Sequence, residues 1–234
     1  MFIDGQNLYK RCKELFGSPM CHPHLLAQHL AGVRSTMRPG CRFYTGRPDP
    51  NDHPDQARNL DRRLDGMRKA GVTVVTRPLR YHWDWGPAPD APLPRPKANS
   101  APRQATMRPW QRPREKGIDL VLALDVIEFV LGDVCDVAIV VSLDRDLFEI
   151  PQALNNLRKH RNGPFRVEAA VPVAGSQKQP KILPGFAYTH QITQQVFELV
   201  KDPTHYASDS PTWRPPVIPP DLPGVMPPLP GLSP

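Results

Sequence analysis

The sequence predicts an α/β protein, a central parallel sheet of about five strands with helices on both faces. Three observations carry this reading. Val137 to Val141 form a short apolar run with β-branched residues inside DVAIVVSLDRDL, the signature of a strand buried on both faces of a parallel sheet. That run ends abruptly in Ser142, Asp144 and Asp146, and helical sequence follows. The chain start repeats the pattern, with Phe2 and Ile3 running into Asp4, Gly5, Gln6 and Asn7. Strands that alternate with helices build a parallel sheet. Open sheets of this kind place ligands outside the carboxyl ends of their strands.

The elements follow in order. Met1 to Asp4 reads as a strand with almost no residues before its end, so either the strand is short or the true start lies upstream. Leu8 to Phe16 is a helix with Leu8, Cys12 and Leu15 on one face, and His24 to Gly32 is a second helix. GCRFYT, Gly40 to Thr45, is the second strand, followed by a Gly-Arg-Pro-Asp-Pro turn. Asp52 to Ala70 is a helix with Asp52 as N-cap, Pro54 in the first turn, and Leu60, Leu64 and Met67 as its buried stripe. VTVVT, Val72 to Thr76, is the third strand. From Ile118 to Leu131 apolar residues nearly encircle a helix, which predicts deep burial. After the strand at 137–141, Leu147 to Lys159 is helical, Phe165 to Val173 is a fifth strand, and Tyr188 to Val200 is a last helix.

Two stretches break this rhythm. From about Tyr81 to Arg114 the chain is rich in Pro, Arg and Trp without an apolar period, which predicts a flexible insertion or lid. Arg77 to Lys116 holds nine positive and three negative residues, and so carries +6 of the chain's +7. Beyond Lys201 the chain becomes Pro-rich and ends PPDLPGVMPPLPGLSP. That composition predicts a disordered or polyproline-like tail, 202–234, whose removal leaves thermal stability nearly unchanged; it reads first as a solvated tail and, as the alternative, as a Pro-rich ligand for a protein partner. The domain proper is 1–201. The chain's 234 residues suffice for one α/β core.

The basic balance favours an anionic partner such as nucleic acid. The four cysteines, Cys12, Cys21, Cys41 and Cys135, show no CxxC pair and read as reduced thiols. Cys21-His22-Pro23-His24 imitates half a zinc site, but no second pair follows at zinc-finger spacing, so it reads as a solvated loop. No signal region and no apolar run of membrane-spanning length is seen. The expectation is a soluble cytoplasmic protein without a membrane partner.

The carboxylates carry the chemistry. Asp4, Asp119, Asp144 and Asp146 stand at strand ends or helix starts, which share one edge of a parallel sheet. Ionised carboxylates crowd together only at a cost unless a cation joins them. An all-oxygen set suits Mg2+ or Mn2+, which activates water and stabilises charge on a phosphoryl group. Each aspartate also has an ordinary structural role open to it. Asp146 with Glu149 three residues on makes a capping box, Asp119 caps its helix, and Asp4 ends a turn. Asp125 lies six residues beyond Asp119, a rotation of about 240° past one full turn. It does not share Asp119's face, and either pairs with a cation elsewhere or replaces it at the site. Asn7 is placed to hold a water or a phosphate oxygen.

FIDGQN, KGIDLVLALD and VVSLDRDL, in this order, resemble the three signature blocks of NYN-domain proteins, a branch of the PIN-like nucleases. The resemblance spans roughly Phe2 to Val173, interrupted by the Pro/Arg/Trp insertion. It implies a Rossmann-like sheet, a divalent metal and endoribonuclease activity. Matched by motif, the site residues are Asp4 with Asn7 beside it, Asp119 with Asp125 as a weaker match, and Asp144 with Asp146. The family shows glycine and a small residue around the first aspartate of the third block, where this chain has Leu143 and Arg145. Leu143 narrows the approach, and Arg145 either contacts a phosphate or partly neutralises the site.

The leading functional expectation is a metal-dependent endoribonuclease using Asp4, Asp119, Asp144 and Asp146. Substrate RNA would be gripped by Asn7, Lys116 and Arg145. In the insertion, Arg103, Arg108 and Arg112 would contact phosphates, and Trp83, Trp85 and Trp110 would stack on bases. The alternative is an RNA-binding or protein-interaction module whose acidic site is weak or silent. A small-molecule phosphohydrolase shares the metal chemistry but has no use for a basic, tryptophan-bearing surface.

Overall fold

The computed structural model describes residues 1–33, 39–87, 107–114, 117–175 and 182–202. The Pro-rich tail, Arg103 and Lys116 lie outside these residues. Six strands form one parallel sheet: β1 (Phe2–Asp4), β2 (Arg42–Arg47), β3 (Thr73–Pro78), β6 (Val137–Val141), β7 (Arg166–Pro172) and β8 (Thr189–Ile192). Their order is β3-β2-β1-β6-β7-β8, a Rossmann-like arrangement. The strands run outward in both directions from β1 and β6, so the topological switch point, where such sheets bind ligands, lies between these two.

Alternation along the strands divides the core in two. Ile3, Phe43, Ile139 and Val141 face one layer with α1 (Gly5–Phe16), α2 (Pro23–Val33), α3 (Pro54–Lys69) and α6 (Gln194–Val200). Phe2, Tyr44, Ala138 and Val140 face the other, with α4 (Ile118–Leu131) and α5 (Glu149–Asn156). A central strand buried on both faces needs apolar residues at every position, and VAIVV supplies them.

Several sequence expectations need correction. A sixth strand, β8, occupies part of a stretch expected to be helical throughout. The helix α6 begins only after Thr193, whose side chain accepts from Val196 N. THQI pairs with β7, whose free edge outweighs weak local preference. α4 has the expected bounds but is not buried all round: Ile118, Leu122, Val126 and Val130 are buried, while Leu120 and Leu124 are 62% and 55% exposed. The first residue before α3 is His53, not Asp52, and it makes no side-chain cap. Leu147 to Lys159 is not one helix but α5 flanked by single turns of 3-10 helix at Arg145–Phe148 and Arg158–His160. Cys21 and His22 are not solvated; they are 0% and 2% exposed, tied by Cys21's bridge to Lys201 and by His22 N donating to Val200 O.

The Pro/Arg/Trp insertion also holds regular structure. β4 (Arg80–Pro87) and β5 (Met107–Arg114) pair antiparallel over eight positions, apart from the main sheet. RYHWDWGP alternates charged and apolar residues with period two, and such alternation marks a strand even when proline is frequent.

Candidate functional site

Asp4 ends β1 and is the N-cap of α1. Its Oδ1 accepts from Asn7 N at 3.0 Å, and its Oδ2 accepts from Ser142 Oγ at 2.9 Å. The cap explains why an aspartate stands here, since the first helical N–H groups lack partners of their own. Ser142 directly follows β6, the strand beside β1. The same Ser142 Oγ accepts from Asp144 N at 3.0 Å. One hydroxyl therefore joins the ends of the two central strands and holds Asp4 and Asp144 in register. Asn7 completes the link, for its Oδ1 accepts from Leu143 N at 3.0 Å. Asn7 thus ties two backbone segments together.

Asp144, not Asp146, caps the turn that follows: its Oδ1 accepts from Asp146 N at 3.0 Å. The expected capping box of Asp146 with Glu149 is not formed, because α5 begins at Glu149 itself, after the 3-10 turn. Asp146 and Arg145 are exposed at the rim of the site. Asp119 lies in the first turn of α4 without capping it. Gly117 holds the N-cap position in the left-handed region, φ 81°, and makes no side-chain bond.

These four carboxylates act on one another electrostatically. Asp119 is pushed up to about 6, by burial first and then by the charges of Asp4, Asp144 and Asp146. Asp4, 6% exposed, is also raised: burial dominates and Asp144 adds to it, against the hydrogen bonds from Asn7 and Ser142 that favour the ionised form. The carboxyl edge at the switch point is thus a concentrated negative field. Its donors are all carboxylate oxygens, a set that fits Mg2+ or Mn2+ and relieves its own repulsion by binding one. Among the described residues, no three His, Cys, Asp or Glu groups are already drawn close enough to hold a metal ion.

Asp125 does not join this group. Its Oδ2 accepts from Arg42 Nη2 at 2.7 Å, Arg42 Nε at 3.1 Å and Tyr44 OH at 2.7 Å. These partners stand on β2, so the other side of α4 uses Asp125 to fasten helix to sheet. The rotation from Asp119 required that separation, and the tertiary structure supplies the cation.

Two residues had no role in the sequence reading. Ser142 is the hydroxyl bridge, and its signal was its place between a buried strand and the first aspartate. Gly5 is the other. A Cβ there would stand 2.2 Å from Phe43 Cζ, so the phenyl ring occupies the space that a side chain would need.

Of the expected RNA-contacting residues in the insertion, Trp83, Trp85, Arg108, Trp110 and Arg112 take register positions on β4 and β5. The hairpin leaves the domain at the end of β3. At its base the Tyr81 ring packs on His53, centroids 4.7 Å apart.

The fold and this edge define an α/β protein with an acidic site at the switch point of a Rossmann-like sheet. No family model, no curated protein and no solved structure matches the chain. Among the described residues, no helix is long and apolar enough to cross a membrane.

Proposed function

We propose that this chain is a metal-dependent endoribonuclease of the NYN type, acting in the cytoplasm. The observation that supports the reading is that Asp119 is pushed up to about 6, by burial first and then by the charges of Asp4, Asp144 and Asp146 beside the switch point. Asp4, Asp119 and Asp144, supported by Asp146, would hold Mg2+ or Mn2+. Such an ion supplies a more acidic bound water and neutralises charge building on a phosphodiester. The chain's own residues set the stage. Ser142 and Asn7 fix Asp4 relative to the 142–144 turn, and the remaining carboxylates would have to close on it on loading. Arg145, exposed beside the acids, is placed to attract a phosphate, and the basic hairpin supplies the binding surface that a polyanion needs.

A second reading has an observation of its own. Asp4 spends both carboxylate oxygens, and Asp144 one of its two, on protein hydrogen bonds. That use is complete without a metal, and suits an RNA-binding module with a silent acidic edge.

The Asp144→Asn variant separates them. Purified parent and variant are compared on one labelled RNA with Mn2+, with Mg2+ and with chelator. The enzyme reading expects metal-dependent cleavage by the parent, loss of at least about a hundredfold in the variant, and RNA binding retained by both. Absence of metal-dependent cleavage by the parent refutes the enzyme reading. Cleavage that survives both chelation and the substitution refutes this site as its source.

A further inference from the structure

Helix α5 runs from the acidic edge back toward the opposite edge of the sheet, as the crossover between parallel strands β6 and β7 requires. It starts at Glu149, directly after the turn that holds Arg145 and Asp146, and ends at Asn156, just before the 3-10 turn Arg158–His160. Its exposed positions are Glu149, Gln152, Asn155 and Asn156. Gln152 Nε2 donates to Asn156 Oδ1 at 3.1 Å, so these two amides stand one above the other on the outer side of the helix. Glu149 is the only charged residue within α5. The far end differs, for Arg158, Lys159 and His160 are all exposed. A polar strip with one charge therefore joins an acidic end to a basic end.

The basic end is not neutralised from within the protein. Arg11, Arg47, Arg58 and Arg68 each face a carboxylate, but no described carboxylate is ion-paired with Arg158 or Lys159. The acids of the turn between α4 and β6, Asp133 and Asp136, are both taken by the buried Arg161, whose Nε and Nη2 each reach one at 2.7 Å. Arg158 is steadied by an aromatic ring: its Cζ lies 5.8 Å from the Phe165 centroid, beside that of Arg161 at 5.6 Å. Cations at a helix C-terminus also complement its dipole. That role ends with the last turn and asks nothing of the strip above it.

We infer that an RNA strand leaving the acidic edge runs along the outer face of α5, and that Arg158 and Lys159 hold its phosphates at the far end. The inference rests on the nuclease reading above and adds a length requirement to the substrate. A polyanion is repelled by the carboxylates except where a metal neutralises them, so its grip must come from cations outside the acidic field. The amides of Gln152, Asn155 and Asn156 donate to phosphate and sugar oxygens without repelling them. From Arg145 to Lys159 the chain covers about 20–25 Å, at about 1.5 Å per residue in α-helix and 2.0 Å in 3-10 turns. At about 3.4 Å per stacked nucleotide, RNA needs about six or seven nucleotides beyond the cut to reach the basic end. Arg166 is exposed as well, but it alternates with Val167, which faces the layer of α4 and α5, and so lies on the other side of the sheet.

Two fluorescein-labelled single-stranded RNAs test this on the full chain, one of about sixteen nucleotides and one of about four, which reaches only about 7 Å to either side of a central cut. Binding is read by anisotropy in chelator, and cleavage with Mn2+. Arg158→Gln with Lys159→Gln should weaken binding of the longer RNA about tenfold at about 0.15 M salt, and flatten the slope of log affinity against log salt by about 1.4. In cleavage the double variant should lose about tenfold of the parent's preference for the longer RNA, through KM rather than kcat. Arg166→Gln should keep that preference. Equal loss on both RNAs would show that the two cations act through the fold, and would overturn the inference. So would parent-like affinity and salt slope in the double variant, or an equal loss in Arg166→Gln, each without touching the nuclease reading. Parent-like RNA affinity with binding lost to vesicles of anionic phospholipid would assign the basic end to a membrane surface and overturn the inference too. Length-dependent binding that follows Arg158 and Lys159, in a parent that never cleaves RNA with metal, would uphold the α5 path and refute the nuclease. No binding and no cleavage would overturn both proposals.

Discussion

Replacing Gly5 by alanine perturbs the acidic edge through packing alone. The new Cβ would stand 2.2 Å from Phe43 Cζ and 2.8 Å from two further ring carbons, where ordinary contact begins at 3.4 Å. The ring has little room to retreat. Phe43 is fully buried, on a strand paired to neighbours on both sides, with the Tyr9 ring centroid 5.4 Å away. Overpacking of this kind costs about 1–3 kcal/mol, and alanine's better helix propensity returns less than about 1 kcal/mol. The net expectation is a loss of about 1–2 kcal/mol, or roughly 2–8 °C in Tm for a domain of this size. Calorimetry or circular dichroism measures it. A double-mutant cycle isolates the cause: in a Phe43→Leu background the alanine should cost much less, because the ring carbons it meets are gone. Asp4 is the adjacent residue and the cap of the same helix, so Gly5→Ala should also weaken metal binding more than its stability loss alone explains. Equal cost in both backgrounds, or a Gly5→Ala protein as stable as the parent, would refute the reasoning.

Other expectations follow from the same geometry. Asp119 is raised in the folded state to about 6, so the folded form binds the extra proton, and this stabilising contribution, present below about pH 4, is lost as pH rises through 6. At full strength that is ~3 kcal/mol, reduced to ~1 kcal/mol for a half-buried group screened by solvent. Asp119→Asn, denatured by urea in chelator, should therefore be more stable than the parent by about 1 kcal/mol above pH 6, with the difference vanishing toward pH 4; a variant less stable at pH 7 contradicts this. Asp125→Ala should lose about 2 kcal/mol by stranding Arg42 and Tyr44, yet leave metal affinity unchanged in titration calorimetry. A loss of metal affinity like that of Asp144→Asn would return Asp125 to the site.

The sequence by itself determined the layered α/β class, because a five-residue apolar run rich in β-branched residues and bounded by acids has few other uses. It also determined that Asp4 ends a strand, and the bounds of α4, set by a largely apolar stretch between Gly117 and Gly132. These are local properties, written in periodicity and in the residues that interrupt it. Partnership was decided only by the tertiary structure. Asp119 and Asp125 share one helix and one residue type, but one meets three like charges and the other an arginine and a tyrosine of β2, because the helix turns them toward different neighbours. Ser142 is an ordinary strand-end serine until β1 lies beside β6. β8 forms because β7 has an edge to pair. Leu120 and Leu124 stay exposed because only one stripe of α4 meets the sheet, however apolar the rest.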